Sequence, residues 1–313
     1  MKLSIVGTLS SNYQPLGLPA EVFYWQIKYN ECMFATVIII YIALSTIFNQ
    51  SYKVTTRTMK NAAAQTVGLQ LVATVSCLLL VPFFSLKLPS NPLVYLFLGL
   101  SCIFYAVNNR ILANVRKNIE ASTISILQQS HTVLMTLAGF LLYAEEITLF
   151  KVLGIILIIG GNILVFWQRG KTQKIDKYVW FGLLAYLCNV IAGLIDVGYS
   201  KQFNLAFYTT FLYLIPATLI FITNRVKIID IRKEFKRANK KFFFITGFCW
   251  GVAYLTLLVA YSMAEVSLVS PLASLTVFTN VIAGYIWLNE RKNLPKKIIA
   301  AALAILGIVF ISL

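Results

Sequence analysis

Ten stretches of the chain carry mostly apolar side chains for roughly 18 to 24 residues each, with short polar links between them. They cover about 33–50, 62–84, 92–113, 120–143, 149–167, 178–200, 205–223, 242–262, 266–288 and 295–312. None alternates polar and apolar residues with period two, so they read as helices and not as barrel strands. About 20 such residues cross a bilayer core as a helix. Lipid also demands a helix, because an unpaired peptide group is costly there. The pattern therefore predicts an all-α polytopic membrane protein with ten transmembrane helices.

Two of the helical hairpins are copies. Adding 145 to residues 120–167, without a gap, lays Glu120 on Glu265, Ser122 on Ser267, Ser125 on Ser270, Leu127 on Leu272 and Gly139 on Gly284. The same register lays Glu145 on Glu290, Leu149 on Leu294, Lys151 on Lys296 and Ile163 on Ile308. Apolar composition alone does not hold two glutamates, a glycine and a lysine in one register. The offset extends to Tyr105 on Trp250 and Asn109 on Tyr254. Ten spans then divide into a first repeat, 33–168, and a second, 169–313. Residues 1–32 stand apart, either as a flexible or surface-lying tail or as a gene-start artefact before Met33.

Charge gives the orientation. Only 12% of residues are charged, against about 25% in soluble domains, and the mean hydropathy is +0.78. The net charge of +16 does not point to nucleic acid, because the basic residues cluster in the links. The links after spans 1, 3, 5, 7 and 9 hold 21 Lys and Arg, and the opposite links hold Lys87, Lys151 and Lys201. The positive-inside rule puts the first set in the cytoplasm and both termini outside. Since five is odd, the two repeats are then inverted, as in many secondary transporters whose site lies between the halves. The longest basic link, 225–241, reads as a solvated loop or a contact for anionic lipid headgroups.

The chain resembles the EamA-type members of the drug/metabolite transporter superfamily over residues 33–313. Two five-helix halves carry the resemblance. Each has a small, Ser-rich helix ending near a glutamate (Glu145, Glu290), followed by a last apolar helix with Gly154, Gly160 and Gly161 in the first half. Pro271 matches a proline frequent in the family, while Ile126 stands at the equivalent position. The glycine usual before the glutamate is replaced by Ala144 and Asn289. The resemblance implies a secondary transporter of small metabolites, often an exporter.

The candidate site residues are polar groups that lipid would not tolerate without partners. In span 4, Ser125, Gln129, Thr132 and Thr136 share one helix face, with Gln128 and His131 beside it. They form either a substrate-cavity wall or interhelical hydrogen-bond contacts. The matching face of span 9 is less polar, with Ser270 and Ser274. His131 either titrates as a coupling group or is a neutral, hydrogen-bonded histidine. In span 6, Asn189, Gly193, Asp196 and Ser200 form a stripe. Asp196 reads as a wetted structural aspartate or as a proton or cation site. Span 3 offers Asn108, Asn109 and Arg110, the arginine either snorkelling or meeting an anionic substrate group. Trp250 and Tyr254 make span 8 aromatic, and Tyr41 and Ser45 face the cavity from span 1. Glu120 and Glu265 read as helix-opening residues, and Glu145 and Glu290 as latches with Lys151, Lys296 or Arg291.

Five scattered cysteines and one histidine make neither a disulfide framework nor a His-based metal cluster. No phosphate loop or Ser/His/Asp set appears, so the reading is not an enzyme and needs no cofactor. The leading expectation is an alternating-access exporter of a small polar or amphipathic metabolite in a bacterial plasma (inner) membrane, with a coupling proton or cation. The rivals are a flippase for a lipid-linked substrate and a non-transporting membrane scaffold.

Overall fold

The computed structural model describes residues 20–121, 124, 127–143, 148–166, 177–289 and 294–311. Among these residues the regular structure is helical throughout, with no strand. The helices are α1 Ala20–Thr56, α2 Ala62–Leu78, α3 Pro92–Asn118, α4 Gln129–Tyr143, α5 Leu149–Phe166, α6 Lys177–Tyr199, α7 Leu205–Thr223, α8 Ile228–Arg237, α9 Lys240–Met263, α10 Val266–Ser274, α11 Thr276–Leu288 and α12 Leu294–Ile311. Among the described residues, seven helical segments are long and apolar enough to cross a membrane: Cys32–Thr56, Ala62–Phe83, Pro92–Asn118, Lys177–Gln202, Leu205–Thr223, Lys240–Met263 and Val266–Leu288. Leu149–Gly161 is a shorter apolar helix.

Asparagines set several of the boundaries. Asn61, Asn91, Asn204 and Asn239 each open a helix with a side-chain oxygen on a backbone N–H of the first turn, which satisfies a donor with no partner inside the helix. Asn289 closes α11 in the left-handed conformation, φ 55°. That is the conformation glycine favours at a helix end, and asparagine is the usual substitute.

Four elements differ from the hydropathy reading. Helix α1 begins at Ala20 and continues to Thr56, where the apolar run predicts 33–50. Run 9 is not one helix: it breaks at Leu275, between α10 and α11. Pro271 lies inside α10, four residues before the break. The backbone tightens after it, with Leu275 N on Leu272 O at 3.2 Å. The basic link 225–241 is not a plain solvated loop, because it contains α8. Glu234 of α8, 3% exposed, accepts from the backbone N–H groups of Lys60 and Asn61 at 3.1 Å each and pairs with Arg237 at 2.8 Å. That clamps the α1–α2 link. Glu120 does more than open its helix: it accepts from Lys297 Nζ at 2.5 Å, a bridge between the two repeats.

The helix pairs show the internal symmetry. Extensive contacts join α1 with α9, α3 with α6, α2 with α7, α4 with α10 and α5 with α12, besides those of α2 with α9 and of α3 with α7. Exchanging each run of the first half with its counterpart in the second swaps the first two pairs and maps the next three onto themselves. Small residues permit the closest approach. A Cβ on Gly307 would lie 2.6 Å from Gly154 O, and one on Gly161 would lie 3.0 Å from Ala300 O. Glycine seams of this kind let helices pack tightly where lipid gives no hydrophobic drive.

Candidate functional site

A cavity of about 140 Å³ lies between the two halves. Its wall follows helical phase. Tyr41, Ser45, Asn49 and Tyr52 present one face of α1, and Tyr105, Asn108, Asn109, Leu112 and Arg116 present one face of α3. Gln128 and His131 enter from the α4 side, Asn189 and Gly193 from α6, Trp250 and Tyr254 from α9, and Ser270 and Ser274 from α10. Eleven of the fourteen candidate residues named from the sequence therefore meet at one place.

The other three do not line it. Arg110 points toward the end of α7, where its Nε donates to Asn224 Oδ1 at 2.8 Å. It neither faces the cavity nor meets an acid among the described residues. Gln129 is buried at 2% exposure, with Nε2 3.5 Å from Ser274 O across the repeat boundary. Ser122, Ser125, Ile126, residues 1–19, 144–146, 168–176 and 290–292 lie outside the described residues.

Asp196 is the third. It is 0% exposed, so it is not the wetted aspartate of the first alternative above. Four hydroxyls donate to its carboxylate: Ser101 Oγ at 2.6 Å, Tyr208 Oη at 2.7 Å, Tyr105 Oη at 2.9 Å and Tyr254 Oη at 2.5 Å. Tyr105 and Tyr254 also touch each other at 2.5 Å. Four donors fill the acceptor capacity of a carboxylate. They come from α3, α7 and α9 and converge on α6, which closes the cavity at this end. The two tyrosines that line the cavity are the layer between Asp196 and its contents.

The opposite end is basic. Arg116 sits in the last turn of α3, where the helix dipole favours a cation. Its guanidinium lies 4.9 Å from the ring centroids of both Phe48 and Tyr52, and Nη1 donates to Asn49 Oδ1 at 2.7 Å. Lys53 reaches the same helix end, donating to the carbonyls of Arg116 (2.8 Å), Lys117 and Ile119. Trp250 stacks on Phe48 at 5.4 Å and 27°.

The sequence profile of the EamA-like transporter family matches residues 32–167 and again 176–313. The chain belongs to the EamA-like transporter family. Being a member of that family, it is a multi-pass membrane protein and a transporter. A comparison with curated proteins finds no match. A solved structure described only as the crystal structure of a protein superposes with TM-score 0.60 at 15% identity, covering 90% of this chain and 96% of the other. That likeness speaks for the fold alone.

For this transporter, sequence reasoning missed Arg116, Asn49 and Tyr52. Arg116 falls past the apolar run that ends near 113, so it counts as a link charge. Helical phase carries the missing signal: Tyr105, Asn109, Leu112 and Arg116 repeat at 4, 3 and 4 residues on one face, and Arg110 lies off it. The wall offers amide, hydroxyl and aromatic groups, one guanidinium, and no Asp or Glu among the described residues. It can orient a small solute by hydrogen bonds and stacking.

Proposed function

We propose that this EamA-family protein is a secondary transporter that exports a small polar or amphipathic metabolite by alternating access. The carrying observation is that the cavity lies between the two repeats and draws its wall from both, as an inverted-repeat transporter requires. The candidate residues that bind solute are Gln128, His131, Asn108, Asn109, Asn189, Tyr41, Ser45, Trp250, Tyr254, Ser270 and Ser274. Asp196 is the candidate for the coupling proton or cation, because its cage joins α3, α6, α7 and α9 and would loosen if the carboxylate changed partner. We further propose ten spans in a bacterial plasma membrane, with the links bearing most Lys and Arg in the cytoplasm and both termini outside.

The test is counterflow by purified protein in liposomes against amino acids, amines, sugars and small organic acids, at several external pH values. Exchange of at least one soluble solute supports the reading, and exchange of none rejects it. Retention of a lipid-linked sugar with no soluble exchange would favour the flippase. A tag at the C-terminus that is reached only from the cytoplasm would reverse the orientation.

A further inference from the structure

We infer that Arg116 and Asn49 form an oxyanion subsite at the basic end of the cavity, so that the solute carries a carboxylate or phosphate group and, at a second point, an N–H or O–H donor. The inference rests on the cavity being the transport site.

Arg116 is 7% exposed, and its side chain lines the cavity. A guanidinium has five N–H donors in a rigid fork. The recorded side-chain hydrogen bonds use one of them, to Asn49. The ion pairs recorded among the described residues are Arg237 with Glu234 and Lys297 with Glu120, and Arg116 is in neither. A cation withdrawn from water without a counter-ion is expensive. Phe48 and Tyr52 meet part of that cost by presenting their ring faces, and they hold the guanidinium plane still. What remains is a preorganised fork that matches an oxyanion.

A purely structural role, tying α3 to α1, explains less. Lys53 already joins α1 to the carbonyl end of α3. The donor requirement comes from an independent residue. Asn108 lines the same wall at 2% exposure; its Nδ2 donates to Asn109 at 3.0 Å, while its Oδ1 has no partner. A buried acceptor left unpaired is costly, and a solute N–H or O–H would satisfy it.

The test uses three pairs of probes that differ in the anion alone: lactate against lactamide, benzoate against benzamide, and glycerol phosphate against glycerol. Each is measured by counterflow in liposomes and by the thermal midpoint of the purified protein. At least one anion should be exchanged about tenfold faster than its neutral partner. Arg116→Gln should erase that preference, and Arg116→Lys should keep part of it. Asn49→Asp places an internal carboxylate against the same guanidinium, so it should also lower anion exchange about tenfold while the packing stays; it decides the matter where Arg116→Gln does not fold. Exchange of the carboxylates alone or of the phosphate alone assigns the class. The inference fails if neutral partners are carried equally well, if Arg116→Gln keeps the anion preference, or if no anion is exchanged. Exchange of neutral or cationic solutes only would leave the transporter reading standing and remove the oxyanion subsite. Exchange of nothing would remove both.

Discussion

The two ends of the cavity hold the two charges that matter, and the protein treats them in opposite ways. Asp196 is saturated, with four hydroxyls from three neighbouring helices. Arg116 is framed by two rings and one amide, all supplied by α1, and keeps donors to spare. The two ends are tied to the same helix: Tyr105 and Arg116 are eleven residues apart on α3, about 16 Å along its axis. A saturated charge organises helices, whereas an unsaturated one waits for a ligand. One end therefore reads as the joint on which the halves are held together, and the other as the point where solute chemistry is read.

The largest effect should come from breaking the saturated end. Asp196→Asn turns an acceptor-only group into one that also presents two N–H donors to hydroxyls that need acceptors. Hydrogen bonds to a charged group contribute about 1.5–3 kcal/mol each, and hydroxyl rotation recovers part of the loss. The expected outcome is a destabilisation of about 3 kcal/mol, which on a conformational equilibrium is roughly 100-fold. Solute exchange should fall accordingly for every substrate, charged or neutral. The thermal midpoint and counterflow read both. A selective loss of anions, with neutral exchange intact, would show that the two ends do not divide the work in this way.

A smaller effect separates holding from reading within the same cage. Tyr208 and Tyr254 each give Asp196 one hydrogen bond, but Tyr208 is 0% exposed and off the cavity wall, while Tyr254 lines it. Tyr208→Phe and Tyr254→Phe should each cost about 1–2 kcal/mol. Only Tyr254→Phe should also change the ranking of solutes in counterflow. Equal changes of ranking in both variants would mean that selectivity is transmitted through Asp196 and is not set at the wall.

This division was only half legible in the sequence. The helices were visible because lipid forces an apolar run wherever a span must be, and the repeat because its register carries Glu120, Gly139 and Lys151 onto Glu265, Gly284 and Lys296. Helical phase placed Asn189 and Thr132 on the wall, but in span 4 it favoured Gln129 and Thr136, which do not line the cavity, over Gln128 and His131, which do. The break at Leu275 was hidden, because hydropathy averages across a local change in hydrogen bonding. Helix α8 was hidden inside a count of basic residues. The cage around Asp196 was illegible for another reason: its partners at 101, 105, 208 and 254 come from helices far apart in the chain, and no single stripe contains them. Arg110 and Arg116 exchanged roles because an apolar window weighs composition, whereas a cavity selects by phase.

The smallest expected effect sharpens the basic end. Glu120 begins four residues after Arg116 and accepts from Lys297 at 2.5 Å, with side-chain exposures of 32% and 2%. Glu120→Gln removes one negative charge from this end without touching the guanidinium, Asn49 or the rings. If solute is read by the local fork of Arg116, the anion preference should change by less than about threefold at physiological salt, since Glu120 is partly exposed and already paired with Lys297 and salt screens exposed charges. If a diffuse positive field attracts the anion, exchange should rise clearly and become steeply dependent on ionic strength. The stability loss should exceed the roughly 0–1 kcal/mol of an exposed pair, because Lys297 is 2% exposed and would lose its carboxylate. Counterflow of the preferred anion at low and high salt, wild type against Glu120→Gln, distinguishes a site from a field.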